Sequence, residues 1–138
     1  MVFLFRDGGQ SQFSGPMDLQ LKADRAGMLQ LVSWLESELH NAITVERMAE
    51  QIAMSVRTLH RRCQLALGMT PAQLLSELRL ERSRNLLSEL AIPVKSIAVE
   101  CGFSNPAAYS KAFARRFGIA PAKYRMRFSE GRGESIQP

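Results

Sequence analysis

Apolar residues along this chain recur every third or fourth position, which is the spacing of a helix that buries one face. Strand-like alternation is confined to residues 1–5. About seven segments carry the helical spacing, and Gly or Pro stands between several of them. The pattern therefore predicts an all-α protein. Its first stripe consists of Met28, Leu31, Val32, Leu35 and Leu39, a long helix is predicted over 71–89, and a short closing helix over 121–128.

Part of this pattern occurs twice. The stretch VERMAEQIAMS-VRTLHRRCQLALGMTPAQL, from Val45, matches VKSIAVECGFSNPAAYSKAFARRFGIAPAKY, from Val94, when one gap is allowed. The offset between matching residues is 49 before the gap and 50 after it. Because the identities keep the same order and the same helix faces, the pattern indicates an internal duplication. The identical pairs are Val45/Val94, Ala49/Ala98, Ser55/Ser104, Gly68/Gly118, Pro71/Pro121 and Ala72/Ala122.

Each copy predicts a helix-turn-helix, which is a short helix, a tight break and a longer second helix. Thr44 and Ser55 are placed to cap the two helices of the first copy. In the second copy either Ser104 or Asn105 can cap the second helix. Glycine follows both second helices, where a left-handed residue is favoured. The predicted helices are 45–52 and 57–67 in the first copy and 94–101 and 106–117 in the second.

Charge is distributed unevenly along the chain. The net charge is +5, but residues 1–50 hold four Lys/Arg against seven Asp/Glu, and residues 51–138 hold fourteen against six. A compact helical segment this basic indicates a polyanionic partner, either nucleic acid or an anionic membrane surface. The apolar runs are too short to span a bilayer, and residues 1–5 lack the basic start and cleavage site of a secretory signal. No membrane partner is predicted.

The exposed faces of the two second helices differ from an ordinary solvated helix. In the second copy, Tyr109, Phe113 and Phe117 form the apolar side, and the opposite side is small, polar and basic. The second helix of a helix-turn-helix lies in the DNA major groove, where small residues permit close approach and donors meet base acceptors. We therefore predict double-stranded DNA as the partner. The predicted base-reading residues are Arg57, His60, Arg61, Gln64, Asn105, Ala107, Ser110 and Lys111.

Further polar residues flank these faces and are predicted to contact DNA phosphates. They are Ser55, Arg62, Ser104, Arg115 and Arg116. Simple solvation is the alternative explanation for the polar stripe and for each flanking arginine. The arginines of the long helix, Arg79, Arg82 and Arg84, are predicted instead to pair with Glu77, Glu81 or Glu89.

Enzymatic chemistry finds little support in the sequence. His40 and His60 lack metal-ligand spacing, and no GxSxG, HExxH or phosphate-loop motif occurs. Cys63 and Cys101 lie among apolar helical positions, so we interpret them as reduced core residues, with a disulfide or redox switch as the less favoured alternative. The prediction is a protein that is not an enzyme, with no metal site and no cofactor.

The segment ERSRNLLSELAIPVKSIAVECGFSNPAAYSKAFARRFGIAPAKYR resembles the AraC/XylS transcription regulators. The marks of that resemblance are Ile97–Ala98, Gly102–Phe103, Tyr109, Phe113, the turn from Phe117 to Pro121, and Tyr124–Arg125, and the likeness covers about residues 31–128. It departs from the family at Ser83, where Ala is usual, and at Pro106–Ala107–Ala108, which leaves the second copy poor in hydrogen-bonding side chains.

The resemblance implies two homeodomain-like three-helix subdomains, joined by one long helix and reading two successive major grooves. Carried over position by position, base reading falls on Arg57, His60, Arg61, Asn105, Ala107, Ser110 and Lys111. The resemblance further implies a cytoplasmic, nucleoid-associated activator of transcription with RNA polymerase as a partner. The expected organisation is a leader over 1–24, the DNA-binding domain over 25–128, and a disordered tail over 129–138.

At the N-terminus, RDGGQSQF looks like the end of the PfpI-type amidotransferase-like sensor domain found in one branch of this family. That likeness implies an effector ligand bound by a domain missing from this chain. A flexible Gly/Gln/Ser leader explains the same composition. Two other functions remain as alternatives, namely a helical protein-interaction module and a fragment of an amidotransferase-like protein without its own DNA specificity.

Overall fold

The computed structural model describes residues 16–136, and over that range the chain forms seven α-helices and no strand. The predicted all-α class, with about seven helices and two helix-turn-helix motifs, is confirmed. In chain order the helices are α1 Pro16–Glu38, α2 Val45–Gln51, α3 Val56–Leu67, α4 Pro71–Glu89, α5 Val94–Glu100, α6 Pro106–Phe117 and α7 Pro121–Ile136.

The helices fall into two compact units. Unit one contains α1, α2, α3 and α4 up to Ser76, and unit two contains Leu39–Asn41, α4 from Glu77, and α5, α6 and α7. Each unit therefore holds one helix-turn-helix, α2–α3 or α5–α6.

Unit one is built around α3, against which both α1 and α2 pack. The predicted α1 stripe is buried as expected, and Leu59, Cys63 and Leu67 bury the inner side of α3. The core of this unit consists of Met28, Leu31, Val32, Leu35, Met48, Ala49, Leu59, Cys63, Leu67, Leu74 and Leu75.

Unit two adds a cluster of aromatic rings to its aliphatic packing. The Phe113 ring lies 5.8 Å from Tyr109, 4.6 Å from Phe117 and 5.7 Å from Tyr124, centroid to centroid. Such tilted and edge-on pairs add to the stabilisation from burial alone. The buried core comprises Leu80, Leu87, Ile97, Ala98, Cys101, Tyr109 and Phe113.

The duplication inferred from sequence is present in the backbone of the two turns. The amide of Met54 donates to the Ala49 carbonyl at 3.0 Å, and the amide of Phe103, 49 positions later, donates to Ala98 at 2.9 Å. The residue before each donor is left-handed, with φ 54° at Ala53 and φ 89° at Gly102. Gly68 and Gly118, which follow the second helices, are also left-handed, with φ 72° and 78°.

Gly102 is required by close packing as well as by its φ. A Cβ there would collide with the Leu39 carbonyl oxygen and lie 2.6 Å from Arg79 Nε. Arg79 donates from Nε to Leu39 O at 3.1 Å and from Nη2 to Asn41 O at 2.8 Å. Arg79 thus binds backbone carbonyls and not the acidic partner predicted for it. The predicted pair between Arg84 and Glu81 is confirmed, with Nη2 and Oε2 2.7 Å apart.

An arginine of α7 holds the segment before the second motif in a similar way. Arg125 donates to the carbonyl oxygens of Leu87, Leu90 and Ile92, at 3.2, 2.9 and 2.6 Å. Like Arg79, it donates to carbonyl oxygens at and just beyond the end of a helix, where the helix itself supplies no donor. Each arginine belongs to the helix that follows a helix-turn-helix, α4 or α7, and binds the loop that precedes the same motif.

Helix α1 begins at Pro16, within the stretch expected to be a leader, because residues 16–24 contain helix formers and a proline suited to the first turn. Helix α7 continues to Ile136 instead of ending at Phe128, since Gly131 and Gly133 weaken a helix without stopping it. The tail predicted to be disordered thus overlaps α7 over 129–136, and the RDGGQSQF hypothesis lies outside the described residues.

Candidate nucleic-acid interface

Helix α3 is anchored at both ends, and this determines which of its faces points outward. Ser55 accepts a hydrogen bond from the amide of Thr58 at 3.1 Å, and left-handed Gly68 closes the far end. With Leu59 and Cys63 fully buried, the opposite side must face solvent. That side carries Arg57, His60, Arg61 and Gln64, all exposed. The structure thus brings the four predicted base-reading residues of the first copy onto one accessible stripe.

The chemistry of this stripe is dominated by hydrogen-bond donors. Neither Arg57 nor Arg61 forms an ion pair with any residue that the structure describes, so both guanidinium groups face solvent. The His60 ring places Nδ1 3.1 Å from the Val56 carbonyl, which can only accept. A hydrogen bond between these two atoms requires the proton on Nδ1, and in that neutral tautomer Nε2 is an acceptor.

Helix α6 presents a different face on the same scaffold. Ala107 and Lys111 are exposed, Ser110 is half-buried, and Tyr109 and Phe113 are buried behind them. With one cation and one hydroxyl, this face offers a closely approaching backbone rather than a row of long donors.

The N-cap of α6 is Asn105 and not Ser104, the other residue that the sequence offered for this position. Asn105 Oδ1 accepts from the amides of Ala107 and Ala108 at 2.8 and 3.1 Å. Because Oδ1 is occupied in this way, only Nδ2 of the predicted base-reading Asn105 remains to donate to DNA.

The predicted phosphate contacts divide into two groups. Ser55, Ser104 and Arg115 are exposed, although Ser55 Oγ also donates to Thr58 Oγ1 at 2.9 Å. The other two arginines are engaged inside their own units. Arg62 pairs with Asp24 at 3.1 Å, and Arg116 pairs with Glu77 at 2.6 Å. Arg62 and Arg116 thus form ion pairs, which neither explanation offered from the sequence, phosphate contact or simple solvation, included.

Sequence reasoning missed the partner of Arg116. Glu77 lies 39 positions away, and we had expected it to pair within α4. Helical spacing signals pairs three or four residues apart, and nothing in the local pattern indicates a pair that forms only in the folded unit. Asp24 as the partner of Arg62 was missed for the same reason.

Both cysteines are buried and free, as predicted. Burial raises the pKa of Cys63 and of Cys101 to about 11 each, so both thiols remain protonated at neutral pH. Among the residues open to description, no group of three His, Cys, Asp or Glu is arranged to hold a metal ion. Within the same range, no helix has the length and apolarity to cross a bilayer.

Comparison with known proteins gives consistent results for this part of the chain. The helix-turn-helix domain family matches residues 48–127. The transcriptional activator RhaS of Escherichia fergusonii is 38% identical over 107 residues, which cover 78% of this chain and 37% of RhaS. RhaS of Enterobacter sp. strain 638 is 35% identical over 117 residues, covering 85% and 41%. The chain thus spans about two fifths of the length of these relatives.

Solved structures agree with the sequence relatives. An AraC-type regulator from Chromobacterium violaceum is 27% identical with a TM-score of 0.74, covering 78% of this chain and 96% of that one. The DNA-binding domain of AdpA, solved in complex with a target DNA, is 33% identical with a TM-score of 0.74 and the same coverage. Twin helix-turn-helix units with outward-facing second helices define a DNA-binding domain of a transcription regulator. The chain belongs to the AraC/XylS family.

Proposed function

We propose that this chain binds double-stranded DNA sequence-specifically by placing α3 and α6 in major grooves, and so regulates transcription. The observation that carries the proposal is the exposed stripe of Arg57, His60, Arg61 and Gln64, on a helix whose opposite side is fixed in a core. A stripe so rich in hydrogen-bond donors matches the acceptors that base edges offer in a groove about 12 Å wide.

Within α3 the side chains have complementary roles. Arg57 and Arg61 donate to O6 and N7 of guanine, the contact that a planar guanidinium makes best. Gln64 pairs with adenine or with a phosphate. The Nε2 acceptor of His60 suits an exocyclic amine, which cytosine and adenine present in the major groove.

Helix α6 contributes mainly close approach. Ala107 lets the backbone come near the groove floor, while Ser110, Lys111 and the Nδ2 of Asn105 supply the donors. Ser55, Ser104 and Arg115 contact phosphates beside the two helices. We leave Arg62 and Arg116 out of the phosphate set because Asp24 and Glu77 already bind them.

The two units are proposed to occupy successive major grooves on one side of the duplex. Such grooves are about 34 Å apart, so the bound state either holds both helices at that spacing or bends the DNA. The α3 half-site then carries most of the sequence information, and the α6 half-site carries less.

Further partners are proposed from the family and its relatives. Because the matching relatives are named transcriptional activators, we infer that the parent protein activates transcription through contact with RNA polymerase in the cytoplasm, close to the nucleoid. An effector ligand is proposed to act through a sensing domain outside this chain. Each of these inferences extends beyond DNA binding by the chain itself.

A salt titration tests the DNA-binding proposal. The affinity for a labelled duplex is measured by fluorescence anisotropy at several salt concentrations. The logarithm of the affinity should fall linearly with the logarithm of the salt concentration, with a slope of about −0.9 for each phosphate neutralised. Selection from random duplexes should supply the sequence to use. Affinity that is indifferent to salt, or selection that enriches no sequence, would favour a helical protein-interaction module instead.

A further inference from the structure

Arg116, in the last turn of α6, makes the most extensive ion pair described in unit two. Its Nε lies 2.8 Å from each oxygen of the Glu77 carboxylate, and its Nη2 lies 2.6 Å from Oε1. The fork geometry of guanidinium and carboxylate makes this a directional contact. Hydrogen bonding to Glu77 also raises the pKa of Arg116. The recognition helix is thereby tied to α4.

A second arginine completes the arrangement around one aromatic ring. The guanidinium groups of Arg84 and Arg116 lie 5.0 and 4.8 Å from the centroid of Phe117. Two cations on one ring repel each other unless carboxylates balance them. Glu81 binds Arg84 at 2.7 Å and lies 4.0 Å from Arg116, so together with Glu77 it balances both cations.

The equivalent positions of unit one lack the residues that form this network. By the duplication, Ala66 and Leu67 occupy the positions of Arg116 and Phe117. Helix α3 is held instead through Arg62, whose Nη1 lies 3.1 Å from Oδ1 of Asp24. The fork-shaped pair with a carboxylate thus belongs to the helix with the poorer set of base-reading side chains.

The need for a firm attachment follows from how α6 would contact DNA. Long donors such as arginine adjust to small errors of placement, but a close backbone approach at an alanine does not. Ala107 lies nine positions before Arg116, about 14 Å along the helix axis, so a tilt of about 10° pivoting at Arg116 would move Ala107 by about 2 Å. Such a displacement is enough to break a hydrogen bond to a base.

We propose that Glu77 and Glu81 are positioning residues for DNA reading by α6, and that Arg116 transmits their effect without contacting a phosphate. This inference rests on the proposed DNA-binding function. It predicts that sequence discrimination in the α6 half-site depends on the carboxylate of Glu77, although Glu77 itself touches no DNA.

The test uses the selected duplex and single-base variants in each half-site. Wild-type protein should bind variants of the α6 half-site about 5- to 100-fold more weakly than the selected sequence. Glu77→Gln should reduce the preference for the selected sequence over variants of the α6 half-site several-fold. It should leave the same preference in the α3 half-site unchanged. Arg116→Lys should do the same, because lysine keeps the charge but loses the fork. Combining Glu77→Gln with Arg116→Ala should add little to either change alone.

The salt dependence separates positioning from phosphate contact. Arg116→Ala should leave the slope of log affinity against log salt unchanged, whereas the neighbouring control Arg115→Ala should reduce it by about 0.9. Urea unfolding of each variant supplies the fraction folded, to which the affinities are normalised. A slope reduced by Arg116→Ala, with Glu77→Gln retaining full discrimination, would overturn the inference. Wild-type protein that binds no duplex would overturn the proposed function itself.

Discussion

The two helix-turn-helix units share a backbone and differ in what they present. In both, the turn donates one amide to a carbonyl five residues earlier, and both second helices end at a left-handed glycine. The outward faces have diverged into a row of long donors on α3 and a small, mildly basic surface on α6. Packing constrains the buried positions of each copy, while the exposed positions can follow the DNA sequence that each unit must read.

The largest expected effect tests the difference between these faces. Replacing Arg57 and Arg61 together by Ala should weaken binding to the selected duplex by about 100-fold or more, because each bidentate pair contributes about 1–3 kcal/mol. The matched pair Ser110→Ala and Lys111→Ala should weaken it by less than about 10-fold. Anisotropy titration at fixed salt measures both.

Unfolding midpoints in urea provide the control for this comparison. All four positions lie on the outward faces, so neither double variant should shift its midpoint appreciably. Equal losses of affinity from the two helices would show that the units share the reading evenly, against the asymmetry proposed here.

The turns of the two motifs offer a second comparison, in which substitutions at equivalent positions should change stability in opposite directions. Gly102→Ala should destabilise the protein by about 3 kcal/mol or more, because the new methyl meets a carbonyl oxygen at a left-handed φ of 89°. Ala53→Gly, at the equivalent turn, should stabilise it by up to about 1 kcal/mol, since Ala53 already sits at φ 54°. Urea unfolding followed by circular dichroism distinguishes the two, and a tolerated Gly102→Ala would contradict the packing described.

Alkaline pH should destabilise both units through their buried thiols. The pKa of a solvated cysteine thiol is 9.0, and burial raises the pKa of Cys63 and of Cys101 to about 11, so the unfolded chain releases these protons before the folded one does. The stabilisation is complete below about pH 9 and is lost as the pH rises through about 11. Cys63→Ala and Cys101→Ala should each reduce the fall in unfolding free energy between these pH values, and a fall that is undiminished in the double variant would contradict the assignment.

The smallest expected effect on stability concerns the buried Tyr109 of unit two, whose equivalent in unit one is not a tyrosine. Tyr109 takes the place of Leu59, and burial raises its pKa to about 12. The Ser83 hydroxyl donates to the Leu80 carbonyl at 2.7 Å, and within the described part of the chain the Tyr109 hydroxyl has no hydrogen-bond partner.

Tyr109→Phe should therefore leave stability at neutral pH unchanged or increase it by up to about 1 kcal/mol. It should also remove a share of the alkaline fall, because one proton fewer is linked to unfolding. Urea midpoints at pH 7 and pH 10.5 measure both effects. A loss of more than about 1 kcal/mol at pH 7 would mean that the hydroxyl is satisfied.

Local signals account for the parts of the fold that could be predicted. Helices α4 and α6 have the predicted bounds because proline, cap and periodicity agree at their ends. The predicted end of α7 was wrong because no strong stop signal follows Phe128. The α3 stripe followed from spacing alone, whereas the partners of Arg62 and Arg116 depend on tertiary contacts that spacing cannot indicate.

The most direct test of the central claim is methylation interference at guanine N7 on the selected duplex. The account predicts two clusters of interference about 10 base pairs apart, with the stronger cluster abolished in the variant lacking Arg57 and Arg61. The weaker cluster should persist in that variant. A single cluster, or two clusters that both survive the loss of these arginines, would contradict the claim that α3 and α6 read separate grooves with unequal chemistry.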